Sequence, residues 1–258
     1  MQKSNPIRLF LTFALVGFGL ISTGCASQNA NDDEVESVRR TGLSPEEDAQ
    51  RLYDRGDYML RNGNYSAAIQ LFEQLETRYP LNENTRQAQI NLIFAHFKRK
   101  NKELAIDAAN QFILENPVHP KLDYVYYLLG LVHFDKENNR VENLFRVDKT
   151  KRPQKDAQDS MEYFLTLLQK YPDSEYANDA KQRVIYLRER LANHDLHVAQ
   201  YYAERGIHIA AVNRAKVILE EYPDTTAARS ALAVLESSYR NLGMNDLADD
   251  TRRIRQSN

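Results

Sequence analysis

Residues 52–80 read LYDRGDYMLRNGNYSAAIQLFEQLETRYP, and no other stretch constrains the chain as much, because its chemistry recurs downstream. Gly56 and Ala68 place small side chains where two antiparallel helices would cross closely. Gly63-Asn64 breaks the chain between those helices, and Pro80 stops the second after its last turn. Phe72 and Leu75, three apart, share one helix face for packing against the next hairpin. An amphipathic hairpin of this size cannot bury its apolar face alone and needs neighbours stacked on it.

The neighbours are present. Ala105, Phe112 and Pro117 repeat the second-helix pattern, after a helical run from Ala88 to Arg99. Gly130, in DYVYYLLGLVHF, takes the small crossing position of a third unit. Its partner helix carries Met161, Phe164, Leu167 and Leu168 and stops at Tyr171-Pro172, delayed by an insertion from Asp135 to Asp156. A fourth unit has Gly206 at its turn, Ala211 at its crossing and Tyr222-Pro223 at its stop. A last one runs through Ala231, Leu235, Tyr239, Gly243 and Ala248. The helix from Tyr176 to Leu191 falls out of phase with the rest. These offsets follow the tetratricopeptide pattern, whose unit is about 34 residues. No alternating run with hairpin punctuation suggests a strand. The expected fold is all-α, a tetratricopeptide-like helical solenoid of about five helix hairpins over residues 46–258. The first helices of successive units then line an inner surface of the kind that binds extended peptide or another protein's edge. In the adjacent pairs Tyr126-Tyr127 and Tyr201-Tyr202, one member of each is expected to face away from the core.

The N-terminus carries a different signal. Lys3 and Arg8 precede an apolar run from Leu9 to Ile21, too short to span a bilayer, which takes about 20 residues. It ends at Gly24-Cys25, and Cys25 is the single cysteine of the chain. One cysteine cannot build a disulfide framework, and this arrangement resembles a bacterial lipoprotein precursor cut just before a lipid-bearing Cys25. Residues 1–24 are then a signal peptide. Residues 25–45, rich in Asn and acids and poor in large apolar groups, are a flexible linker from the anchor, since such a composition cannot offset the cost of ordering. Ala26 after the anchor, rather than an aspartate, implies outer-membrane retention by analogy with lipoprotein sorting.

Chemistry is sparse elsewhere. The net charge of −2 argues against a nucleic-acid partner, which would demand a strongly basic surface. His194 and His197 have metal-ligand spacing but no third ligand nearby. No phosphate loop, nucleophile elbow or zinc-protease motif is present, so no catalytic residue, metal site or cofactor is expected, and the protein is read as a non-enzyme. Ser66, Ser160 and Ser174 are read as helix-start caps. The 135–156 insertion, with Arg146, Lys149, Lys151 and Arg152 beside Leu144-Phe145, is either a solvated excursion or a partner-docking loop.

Three segments carry a more specific likeness: HPKLDYVYYLLGL from His119, VENLFRVDKTKRP in the insertion, and YYAERGIHIAAVNRAKVILEEYPDT from Tyr201. With the anchor and the repeats, the chain resembles the BamD family of tetratricopeptide lipoproteins from the outer-membrane β-barrel assembly machine, over about residues 47–250. The resemblance implies a periplasmic scaffold tethered by lipid to the outer membrane. Its C-terminal units would dock on BamA and its N-terminal units would meet unfolded outer-membrane proteins, with BamC as a possible companion. The arginine of the family's VNR segment corresponds to Arg214, which the resemblance places in the BamA contact. Without such a partner, Arg214 would pair with a nearby acid such as Glu204 or Glu221. A pilotin-like repeat lipoprotein that assists secretin assembly is the alternative. It would share the anchor and solenoid but lack the out-of-phase helix, the long insertion and the VNR block.

Overall fold

The computed structural model describes residues 42–135 and 154–257. Cys25, most of the 25–45 linker and the body of the 135–156 insertion lie outside the described residues. Among the described residues there are ten α-helices and no strand: α1 (Pro45–Arg61), α2 (Tyr65–Arg78), α3 (Glu83–Lys98), α4 (Lys102–Glu115), α5 (Leu122–Asp135), α6 (Lys155–Lys170), α7 (Ala177–Glu204), α8 (His208–Glu221), α9 (Thr226–Asn241) and α10 (Asn245–Ser257). From α2 onward each helix packs on its neighbour in sequence, and α5 and α6 do so across the insertion. The helices form a solenoid of hairpins with three successive cores, one over α1–α3, one over α3–α5 and one reaching from α6 to α10.

Two devices repeat along it. Helix pairs α1–α2, α3–α4, α7–α8 and α9–α10 turn through one hydrogen-bond pattern. Gly63 N–H donates to Leu60 O and Asn64 N–H to Met59 O, and the same two bonds recur at Lys100/Asn101, Gly206/Ile207 and Gly243/Met244. This closes the helix end with its residue after the cap in the left-handed region. Gly63, Gly206 and Gly243 all have φ of +74°, which glycine adopts without a Cβ penalty, but the second turn places Lys100 there at φ +63°. The return turns are set by proline. Tyr79, Asn116, Tyr171 and Tyr222 each precede one, and each has φ between −134° and −129°. The proline ring forbids the helical region to the residue before it, so four helices stop at the equivalent place. The N–H three residues on then returns to that residue's carbonyl at 3.1–3.2 Å.

Gly56 and Gly130 are crossing positions for one physical reason. A Cβ on Gly56 would lie 2.5 Å from the Phe72 ring, and one on Gly130 2.4 Å from the Phe164 ring. Both rings are fully buried. Counted from the turn, the equivalent pairs are Ile93 with Ala109 and Ala199 with Ala215, all buried. At three of these crossings a small residue faces a large one, whereas the Ala199–Ala215 crossing is made of two small ones.

Several expectations need correction. The out-of-phase helix does not end at Leu191 but continues without a break through Tyr201 to Glu204, so α7 has 28 residues and supplies the first helix of the fourth unit. Neither glycine nor proline interrupts it. Ser160 is not a cap. It sits inside α6, fully buried, and donates to the Gly130 carbonyl at 2.8 Å. The cap of α2 is Asn64, whose side chain accepts from Ala67 N–H, rather than Ser66. Ser174 does act locally, accepting from Tyr176 N–H at 3.2 Å while donating to Asp123. Tyr201 is exposed and Tyr202 half-buried, as expected of an adjacent pair, but Tyr126 and Tyr127 are both half-buried against the core.

Candidate partner interface

Helix α8 holds Arg214. Ala211, Val212, Ala215 and Ile218 form its buried face against α7 and α9, which puts Arg214 at the border of that face with its side chain 48% exposed. Its Nη1 donates to Asp195 Oδ1 on α7 at 3.1 Å. The intramolecular partner is therefore Asp195, not the Glu204 or Glu221 that sequence proximity offered. Asp195 is only 15% exposed. One nitrogen of the guanidinium fork is thus held from below, and half the side chain still faces water.

The ground under Arg214 is braced by the same long helix. Arg188 on α7 donates from Nε to Asp224 Oδ1 at 3.2 Å and from Nη2 to the Glu221 carbonyl at 3.1 Å. Glu189 accepts from Thr226 N–H at 3.0 Å and from its hydroxyl, and Asn193 donates to the same carboxylate. The carboxylate of Glu189 thereby caps the start of α9. Burial works to raise its pKa, but the bonds from Thr226 and Asn193 outweigh that and hold it below the ordinary range. The hydrogen bond from Arg188 lowers that of Asp224. Tyr222, at the stop of α8, is pushed up by burial and then by Asp195 and Glu221.

Exposed apolar groups gather at the glycine turns of this half. Ile207 and Ile209 follow Gly206, and Met244 and Leu247 follow Gly243, each 46–64% exposed. Tyr201 lies beneath the Arg205 guanidinium at 4.9 Å. Charged groups beside part-exposed apolar ones are what partner interfaces are built from. The N-terminal half also exposes apolar groups, Leu81 and Val118 among them, and it holds a buried carboxylate. Asp48, 1% exposed, accepts from Arg51, from Arg78 at 3.3 Å and from the Tyr79 hydroxyl at 2.9 Å, tying α1 to the end of α2.

The insertion's described flank is also tied down. Lys102 pairs with Asp156, while His133 lies 3.4 Å from Asp156 and stacks on Tyr163. Burial, then Lys102, keeps His133 below its usual pKa. His194 has a protein neighbour instead of a ligand set. Its Nδ1 lies 3.3 Å from Gln154 Nε2. Among the described residues no group of three or more His, Cys, Asp or Glu could hold a metal ion, and no helix is long and apolar enough to cross a membrane. An open cleft of about 430 Å³ runs along α7 past Tyr186, Glu189, Arg190, Asn193, His197 and Gln200. Those residues do not combine a nucleophile with a base and oxyanion donors.

The fold defines an all-helical repeat protein. The family model YfiO, described as outer membrane lipoprotein, matches residues 45–254. Outer membrane protein assembly factor BamD of Neisseria meningitidis serogroup A (strain Z2491) is 35% identical over 243 residues, covering 94% of this chain and 89% of the relative. The protein of that name from Pasteurella multocida (strain Pm70) is 36% identical over 254 residues, covering 98% and 92%. That from Vibrio cholerae is 36% identical over 214 residues, covering 83% and 89%. Among solved structures, the MamA protein superposes at a TM-score of 0.33 with 16% identity, covering 82% of this chain and 91% of that one, too loose to add to the architecture read from the helices. The chain belongs to the BamD family of outer membrane lipoproteins.

Proposed function

We propose that this protein is a lipid-anchored scaffold of outer-membrane protein assembly, held at the periplasmic face of the outer membrane. Family membership over residues 45–254 is the observation that carries this reading, since the relatives bear the name of assembly factors. Residues 1–24 are the leader, Cys25 carries the lipid, and residues 25–45 are the tether. The C-terminal units dock on BamA, with Arg214 meeting a BamA carboxylate. The braced α7–α9 block supports that role, because a charge offered from rigid ground costs less to order on binding. The N-terminal units meet unfolded outer-membrane proteins, and other lipoproteins of the complex, BamC among them, are companions. The scaffold works by holding partners and performs no bond chemistry.

Depletion of the protein in its host tests the reading. Newly made β-barrel proteins should then fail to reach the folded, heat-modifiable state, while secreted soluble proteins mature normally. Intact-mass analysis of the membrane form should show a diacylglyceryl-type modification on Cys25 and no residues before it. Normal barrel maturation on depletion, or an unmodified N-terminus, would remove the corresponding half of the proposal.

A further inference from the structure

Arg214 is pinned at one nitrogen. Its Nη1 donates to Asp195 Oδ1 at 3.1 Å, and Asp195 sits on the neighbouring helix α7, itself largely sheltered. Without a hold, a long side chain of this type samples many rotamers and loses that freedom on binding. A guanidinium has five donors in a flat fork, so one carboxylate oxygen at one nitrogen leaves the opposite edge able to take a second, bidentate carboxylate. The Asp195 backbone cannot drift either, because α7 is fastened to the start of α9 by Glu189 and to the α8–α9 turn by Arg188.

We infer that Asp195 is a positioning residue for partner binding: it fixes the Arg214 guanidinium so that its outer edge presents a preformed two-pronged site for a carboxylate of the docking protein. The inference rests on the reading of Arg214 as the BamA contact. Asp195 touches no partner itself and acts through the hydrogen bond, so an acceptor oxygen at that place is what matters rather than its charge.

The test titrates the full chain, purified in detergent, against the periplasmic domains of BamA, with melting temperatures taken alongside. Asp195→Ala frees the guanidinium and should weaken binding about threefold to tenfold, the range expected for ordering one long side chain. Asp195→Asn keeps an acceptor oxygen and should restore binding to within about twofold of the unaltered protein. Equal affinity for all three proteins overturns the inference. So does an Asn variant as weak as the Ala variant, since charge would then matter, and so does an Ala variant that binds more tightly, since Asp195 would then be a competitor. Arg214→Ala separates this from the parent reading. If it binds like the unaltered protein, the Arg214 contact itself is wrong. If it loses binding while both Asp195 variants keep theirs, only the positioning role fails.

Discussion

The hairpins α1–α4 and α7–α10 share one construction and put it to different uses. Both halves turn at a left-handed residue and stop at an X-Pro pair, with the left-handed positions at the same interval in each. The residue after the stop proline diverges. In the first half it is Leu81 or Val118, 92% and 93% exposed. In the second it is Asp224, held by Arg188 from α7. The first half keeps its buried carboxylate, Asp48, within one hairpin, whereas α7 reaches α6, α8 and α9 and ties two units into a block. Repeats alone give a stack in which each unit sees only its neighbours. One long helix crossing that pattern makes a local platform, and Arg214 stands on it.

The strongest way to probe the shared construction is at the ring that the crossing glycine accommodates. Phe72→Ala should cost about 3–5 kcal/mol, the usual range for emptying a buried aromatic site, and Gly56→Ala about 1–3 kcal/mol through overpacking against that ring. The C-terminal Ala199–Ala215 pair has no ring to lose, so Ala215→Gly should cost far less than Phe72→Ala. Thermal unfolding of the three variants checks the order, and equal losses would show that bulk at the crossing does not set what each crossing contributes.

Lys100 sharpens the comparison of the turns. It holds φ +63° where the other described turns of this type use glycine. A non-glycine residue there costs of order 1 kcal/mol or more, partly offset by the entropy glycine adds to the unfolded chain. Lys100→Gly should therefore raise stability by up to about 1 kcal/mol and Gly206→Lys should lower it by a similar amount, read from denaturant midpoints at unchanged slope.

The smallest effect concerns pH. Glu189 has its carboxyl lowered in the folded state, so its contribution is full above the ordinary carboxylate range and is lost as pH falls through that range toward the folded value. Amide protection at Thr226, corrected for intrinsic exchange, should fall as pH drops from about 6 to about 3. In Glu189→Gln that pH-dependent part should be missing. A Gln variant with the same pH profile would assign the effect elsewhere.

Much of the framework was legible because its signals are local. Gly63, Gly206 and Gly243 mark turns through a backbone angle, and Pro80, Pro117, Pro172 and Pro223 mark stops through a steric clash, so neither depends on distant contacts. Gly130 and Phe164 could be matched across the insertion because each alone carries the unit's size pattern. The length of α7 is not legible in the repeat phase, which would break the helix near Leu191; it shows only in the lack of any glycine or proline between Ala177 and Glu204. The Asp195–Arg214 bond was hidden for a related reason. The two residues meet across a helix interface whose register depends on α7 being continuous, and the acids nearer a turn or a helix end looked closer. Ser160 looked like a cap because its role, a bond to the Gly130 carbonyl, exists only once α5 and α6 pack.

The platform reading comes down to charge placed in two regions. Arg214 stands on α8 in the braced half, while Arg86 on α3 is an exposed arginine of the first half that reaches Asn116 at 3.2 Å. The decisive measurement is co-purification of BamA with the tagged protein from detergent-solubilised membranes, comparing Arg214→Glu with Arg86→Glu and taking melting temperatures of both. Arg214→Glu should lose most of the BamA and Arg86→Glu should keep it, with each shifting stability by at most about 1 kcal/mol, as expected for exposed charges. Retention of BamA by Arg214→Glu, or equal loss from both variants, would contradict the assignment of the braced C-terminal block as the docking platform.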